Sequence, residues 1–198
     1  DGFWQGALAN ATTLVDIENI VGGRADDVIT GDGGANRLEG RGGNDILVGG
    51  AGEDVLIGGA GDDILEGGVG DDLHVGGAGS DTFLVSLGDW NVTLDADGNG
   101  LARGYWRGAL ASTDRLESIE NLDAGRGDDV FSGNASANVF TGRGGSDTLV
   151  VTGIGAVDTF TDFDPSADRI ELVDVLDVAA ATVTAANLGA FVRVSTVG

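Results

Sequence analysis

Apolar residues recur every nine positions from Gly22 to Leu84, a period that fits neither a helix nor an ordinary strand. The segment divides without a gap into GGRADDVIT, GDGGANRLE, GRGGNDILV, GGAGEDVLI, GGAGDDILE, GGVGDDLHV and GGAGSDTFL. The eighth positions are Ile29, Leu38, Leu47, Leu56, Leu65, His74 and Phe83. A second run, from Ala124 to Val150, reads AGRGDDVFS, GNASANVFT and GRGGSDTLV, with Phe131, Phe140 and Leu149 in eighth place. Each block predicts a turn followed by a very short strand. Alternation over the last three residues turns only the eighth side chain inward, and the glycines permit left-handed angles and close backbone approach. One inward side chain per block buries too little apolar surface to offset the ordering of nine residues. The remaining stability must come from strand stacking and from something that binds the turns.

The sixth positions supply the chemistry. They are Asp27, Asn36, Asp45, Asp54, Asp63, Asp72 and Asp81 in the first run, and Asp129, Asn138 and Asp147 in the second. Turn carbonyls are offered by Gly22, Arg24, Gly40, Gly42, Gly49, Gly52, Gly58, Gly61, Gly67, Gly70, Gly76, Gly79, Gly127 and Gly144. These are hard oxygen ligands, and calcium takes six to eight of them. Zinc would want nitrogen or sulfur, but the chain has one His and no Cys. A glycine-rich solenoid without metal is the alternative, and it leaves the aspartate register unexplained. The formal charge of -23 disfavours nucleic acid. No apolar run is long enough for a membrane span. The lack of Cys excludes a disulfide scaffold. The lack of Met predicts a fragment or processed product of something longer, and no signal peptide is visible.

The blocks resemble the glycine- and aspartate-rich nonapeptide repeats of RTX proteins. The resemblance implies an all-β fold, a parallel β-roll (a right-handed β-solenoid), with calcium between turns n and n+2 on each edge. Asp27, Asp45, Asp63 and Asp81 would then line one edge and Asn36, Asp54 and Asp72 the other, with Asp129 and Asp147 forming a site in the second run. That implies about six calcium ions, which would cut the formal charge to roughly -11. Asn36 and Asn138 weaken their sites by bringing oxygen without charge. The RTX resemblance further implies a module secreted by, or displayed on, a Gram-negative bacterium. It would pass through type I secretion machinery unfolded and fold on extracellular calcium.

A duplication offset by 102 residues organises the chain: Trp4 to Ala9 matches Trp106 to Ala111, and Ile17-Glu18-Asn19 matches Ile119-Glu120-Asn121. We expect a first module over 1–101, with a cap at 1–21, a roll at 22–84 and a connector at 85–101. The second module spans 102–198, with a cap at 102–123, a roll at 124–150 and a C-terminal cap at 151–198. Residues 13–21 and 115–123 read as degenerate first turns capping open ends. The Trp residues are expected in those caps, with a sugar-stacking platform as the alternative. In the connector, Val92-Thr93-Leu94 reads as a strand, and Asp95, Asp97 and Asn99 match the first half of an EF-hand-type calcium loop. Trp106 stands where the loop's closing Glu belongs, so a hairpin turn is the stronger reading.

After Val150 the repeat is expected to stop. Asp158 to Phe163 alternates like a strand, Asp164 to Asp168 reads as a turn, and Ile170-Glu171-Leu172 resumes an extended pattern. The phrase is similar to the closing segment of many RTX rolls. No secretion signal is assignable in the Ala-, Val- and Thr-rich residues 177–198.

Catalysis finds little support. Neither H-E-x-x-H nor G-x-S-x-G occurs, and His74 reads as a buried, satisfied core imidazole. Arg24 and Arg126, like Arg41 and Arg143, occupy matching turn positions. They either offset nearby acids or form a docking site for an anionic extracellular polysaccharide, an alternative implied by the chain's resemblance to the roll modules of mannuronan epimerases. A non-catalytic folding and secretion module is thus expected. The alternative is a polysaccharide-binding, adhesin or surface-layer module, which could also self-associate.

Overall fold

The computed structural model describes residues 3–5, 12–13, 17–152, 156–173 and 192–195. The strands of the first half are β1 (Phe3–Gln5), β2 (Thr12–Thr13), β3 (Asn19–Val21), β4 (Val28–Thr30), β5 (Arg37–Gly42), β6 (Ile46–Ala51), β7 (Val55–Ala60), β8 (Ile64–Val69), β9 (Leu73–Ala78) and β10 (Thr82–Leu84). Those of the second half are β11 (Asp89–Leu94), β12 (Gly100–Trp106), β13 (Ala109–Glu117), β14 (Asn121–Asp123), β15 (Val130–Ser132), β16 (Val139–Thr141), β17 (Thr148–Thr152), β18 (Thr159–Phe160), β19 (Arg169–Val173) and β20 (Val192–Ser195). Successive blocks alternate between two sheets, so a strand pairs in parallel with the one two blocks on. Leu38 faces Leu56 in one sheet and Leu47 faces Leu65 in the other. This is the parallel β-roll anticipated from the nine-residue period.

Ile29, Leu38, Leu47, Leu56, Leu65 and Phe83 are essentially inaccessible to solvent. The eighth position therefore builds the interior, as alternation requires. The interior divides into an aliphatic stack from Ile20 to Leu65 and an aromatic-rich cluster containing Phe83, Trp90, Phe131 and Phe140.

Both sheets run through the duplication. The 12-stranded sheet has the order β1-β3-β5-β7-β9-β13-β12-β11-β15-β17-β19-β20, and the eight-stranded sheet runs β2-β4-β6-β8-β10-β14-β16-β18. Between β9 and β15 the larger sheet admits β13, β12 and β11, with β12 antiparallel to both neighbours. In the smaller sheet β14 pairs directly with β10. The segment 115–123 is therefore no cap on an open end, but two layers in the middle of the roll. The expectation that the Trp residues sit in caps fails for Trp90 and Trp106, whereas Trp4 lies in β1, the end strand of the larger sheet. Trp90 is buried in β11, its ring 5.6 Å from that of Phe83. Trp106 is 55% exposed beside the turn between β12 and β13.

The roll also does not stop at Val150. Phe160 stacks on Phe140 and Ile170 on Leu149, each in parallel register. Residues 153–161 and 163–171 keep an acid two places before the inward residue, and only the spacing between blocks slips. Of the alternating stretch Asp158 to Phe163, only Thr159–Phe160 is strand, while the turn at 164–168 and the extended 169–173 follow as read. Residues 6–11 of the first Trp phrase and most of 177–198 lie outside the described residues.

Candidate metal centres along the two edges

Winding by 18 residues per full turn brings the sixth positions into two columns. On one edge the backbone N–H of Asp27 donates to Oδ1 of Asp45, Asp45 to Asp63, and Asp63 to Asp81, at 2.7–2.9 Å. On the other, Asn36 donates to Asp54 and Asp54 to Asp72. In the second run Asp129 donates to Asp147 at 2.9 Å, and Asn138 lies on the edge of Asp81. All of these side chains are 3% exposed or less.

Beyond Asp27, which heads its column, one oxygen of each Asp accepts a backbone N–H from the adjacent layer. The other, Oδ2, is buried without a partner in Asp45, Asp54, Asp63, Asp72, Asp81 and Asp129. A buried carboxylate oxygen left unpaired is costly, so these atoms call for a cation. All but that of Asp129, whose block opens with Ala124, sit over the glycine that opens their own block. The arrangement recurs over Gly22 for Asp27, whose Oδ2 also accepts the Gly23 N–H: a Cβ there would lie 2.6 Å from Asp27 Oδ2 and 2.9 Å from the Gly40 carbonyl oxygen. A Cβ on Gly49 would meet Asp54 Oδ2 and the Gly67 carbonyl oxygen in the same way. The cradle therefore pairs a carboxylate with a carbonyl from the turn two blocks on. It also explains why the first position is Gly in every block but the one that Ala124 opens.

Among the described residues no three His, Asp or Glu side chains converge on one point. An ion here must draw on backbone carbonyls, which suits calcium and excludes a nitrogen- or sulfur-loving metal. Without a cation, burial pushes Asp45, Asp54, Asp81 and Asp147 up to about 6. Burial takes Asp129 to about 7, and Asp63 and Asp72 also rise for that reason. Ladder hydrogen bonds oppose the rise in each case.

Left-handed backbone is required where turns stack. Gly70 has φ +143°, and a Cβ there would collide with the Gly52 carbonyl oxygen. Arg41 and Arg143 stand at second positions with φ +84° and +62°. Their guanidinium groups are held by acids: Arg41 Nε is 3.2 Å from Glu39, and Arg143 binds Asp123 through two nitrogens at 2.6 and 2.7 Å. Arg24 and Arg126 are exposed.

The loop after β11 is a hairpin turn. Oδ1 of Asp95 accepts the N–H groups of Asp97 and Asn99, and Oδ1 of Asn99 accepts that of Ser118. His74 is buried as expected but not satisfied. Neither ring nitrogen makes a well-formed hydrogen bond, and burial drives the imidazole down to about 3, opposed only by a weaker interaction with the Arg115 backbone. Its place in the β-strand puts it between Leu56 and Leu116, with the Phe83 ring 4.8 Å away.

The sequence reading missed the acids that extend the ladders. Glu120 accepts from Asp81, Asp114 from Asp72, Asp158 from Asn138 and Asp168 from Asp147. Glu120, Asp158 and Asp168 each stand two residues before an inward apolar side chain. That spacing was the available signal. Asp114 likewise stands two residues before the inward Leu116, but it lies outside any nonapeptide block, so only the fold places it in the ladder.

The model of the RTX calcium-binding nonapeptide repeat matches residues 15–47, 39–74, 48–83 and 117–149, more than half of the chain. The chain belongs to the RTX calcium-binding nonapeptide repeat family. Its roll is thus a calcium-binding repeat module, a role that involves no catalysis. No curated protein matches the chain. Among the described residues no helix is long and apolar enough to cross a membrane.

Proposed function

We propose that this RTX module is a calcium-switched folding unit. The observation that carries the proposal is the set of buried, unpartnered Asp Oδ2 atoms, repeated turn after turn along both edges. In the absence of calcium these carboxylates repel one another and the sparse aliphatic interior cannot hold the chain. Calcium fills the cradles, and its binding energy becomes folding energy. About six ions, three and two on the edges of the first run and one in the second, follow from pairing adjacent sixth positions.

The biological sense of the switch rests on family likeness. RTX proteins are typically secreted by Gram-negative bacteria, and a chain that folds only in external calcium can pass through a type I machinery unfolded. On this reading the module supports the export and stability of a larger secreted protein.

Far-ultraviolet circular dichroism during a calcium titration, from chelator to about ten times the weak end of the extracellular range, tests the switch. A cooperative gain of β signal that magnesium does not reproduce is the expected result. A chain already folded in chelator would refute it.

A further inference from the structure

The calcium reading above leaves the last carboxylate of the first run, Asp81, without a following repeat. The next block in sequence would begin at Val85, but the chain departs into the β11–β13 hairpin and returns 39 residues later to lie beside Asp81. The returning segment rebuilds the missing turn from different residues. Glu120 Oε2 accepts the Asp81 N–H at 2.8 Å, the role that Oδ1 of the next Asp plays elsewhere on that edge. The carbonyl oxygen of Ser118 and Oδ2 of Asp81 both lie within 2.5 Å of the point where a Cβ on Gly76 would stand. That is the same cradle of carboxylate and carbonyl found over Gly22 and Gly49. Ser118 has φ +52°, left-handed as Gly43, Gly52, Gly61, Gly70 and Gly79 are at the fourth position.

Asp81 is inaccessible to solvent, and its Oδ2 has no hydrogen-bond partner. The oxygen thus points, buried and unpaired, into a space that a carbonyl already lines. The opposite edge closes differently. There Asp114 Oδ1 takes the ladder place, accepting the Asp72 N–H at 3.3 Å and the Ser112 hydroxyl at 2.6 Å, and Ser112 Oγ also lies 2.7 Å from the Gly70 carbonyl oxygen.

We infer that Asp81, Glu120 and the Ser118 carbonyl form a further calcium site that bridges the two copies. The column on this edge then runs unbroken from the first copy into the second, although no nonapeptide follows Asp81. Folding of the first run would draw on a segment that lies beyond the hairpin, so the copies would not take up calcium independently.

Counting bound calcium on the full chain by native mass spectrometry tests the site. Glu120→Gln should carry one ion fewer than the unaltered chain, while Asp54→Asn reports on the repeat sites themselves. Loss of an ion from Asp54→Asn with an unchanged count in Glu120→Gln would overturn the bridging site and leave the repeat reading intact. An unchanged count in both would overturn the repeat reading as well. If Glu120→Gln fails to fold, Glu120→Asp decides. Its shorter carboxylate should weaken the affinity of one ion, and an unaltered titration would refute the inference.

Discussion

The first run and the region beyond it solve the same packing problem by different means. From Ile20 to Leu65 the interior is one aliphatic side chain per layer. Beyond His74 it gathers Phe83, Trp90, Phe131, Phe140 and their neighbours around an inserted hairpin. The orphaned carboxylate oxygens follow the inverse distribution: all but that of Asp129 lie in the first run. Apolar burial and cation binding are interchangeable sources of stability in a solenoid, so the thin region leans on the ion and the thick one on its core.

Chelation should expose this difference most strongly. Hydrogen exchange in chelator is expected to strip protection from 22–72 completely while β11, β12 and β15 exchange more slowly. Equal, simultaneous loss in both regions would remove the distinction. The next effect in size is Phe131→Ala, which should cost the calcium-loaded chain about 3–5 kcal/mol in denaturant unfolding. It should also erase the residual protection of the second region in chelator.

A smaller effect follows from pH. The ladder carboxylates have folded values near 6 to 7, raised by burial from 3.8. The metal-free roll therefore binds more protons than the unfolded chain between those limits, and its stability falls as pH rises through that window. Circular dichroism in chelator should show more β structure at pH 5 than at pH 7.5. Calcium affinity should move the other way, weakening as pH falls through 7 to 5. A metal-free chain equally unfolded at both values would contradict the shifts.

The smallest effect is at the seam. His74→Leu removes two buried nitrogens that make no well-formed hydrogen bond from a stack that is otherwise leucine above and below. It should raise the unfolding free energy of the loaded chain by about 1–3 kcal/mol, and a loss would mean that the imidazole's shape matters more than its polarity.

Where the nine-residue phase holds, the chain could be read directly. Leu47 and Leu56 are inward and Asp45 and Asp54 stand in edge columns because each turn repeats the previous one. Where the phase slips, the reading failed. Asp158 and Asp168 continue the ladder after short insertions, and 115–123 proved to be interior layers. Arg143 illustrates a third case: its position was visible, but its bidentate grip on Asp123 depends on a residue 20 places away.

By itself the sequence determined the period, the inward residue of each turn, the oxygen-rich edges and hence the kind of ion. These are local properties, set by alternation, glycine conformations and the spacing of Asp. Only the tertiary structure decided that the two copies share both sheets, that β11–β13 enter one of them, and that Ser118 and Glu120 return beside Asp81. Those outcomes depend on which strands pair across long separations. Backbone hydrogen bonds are alike for every candidate partner, so only the packed whole selects among them.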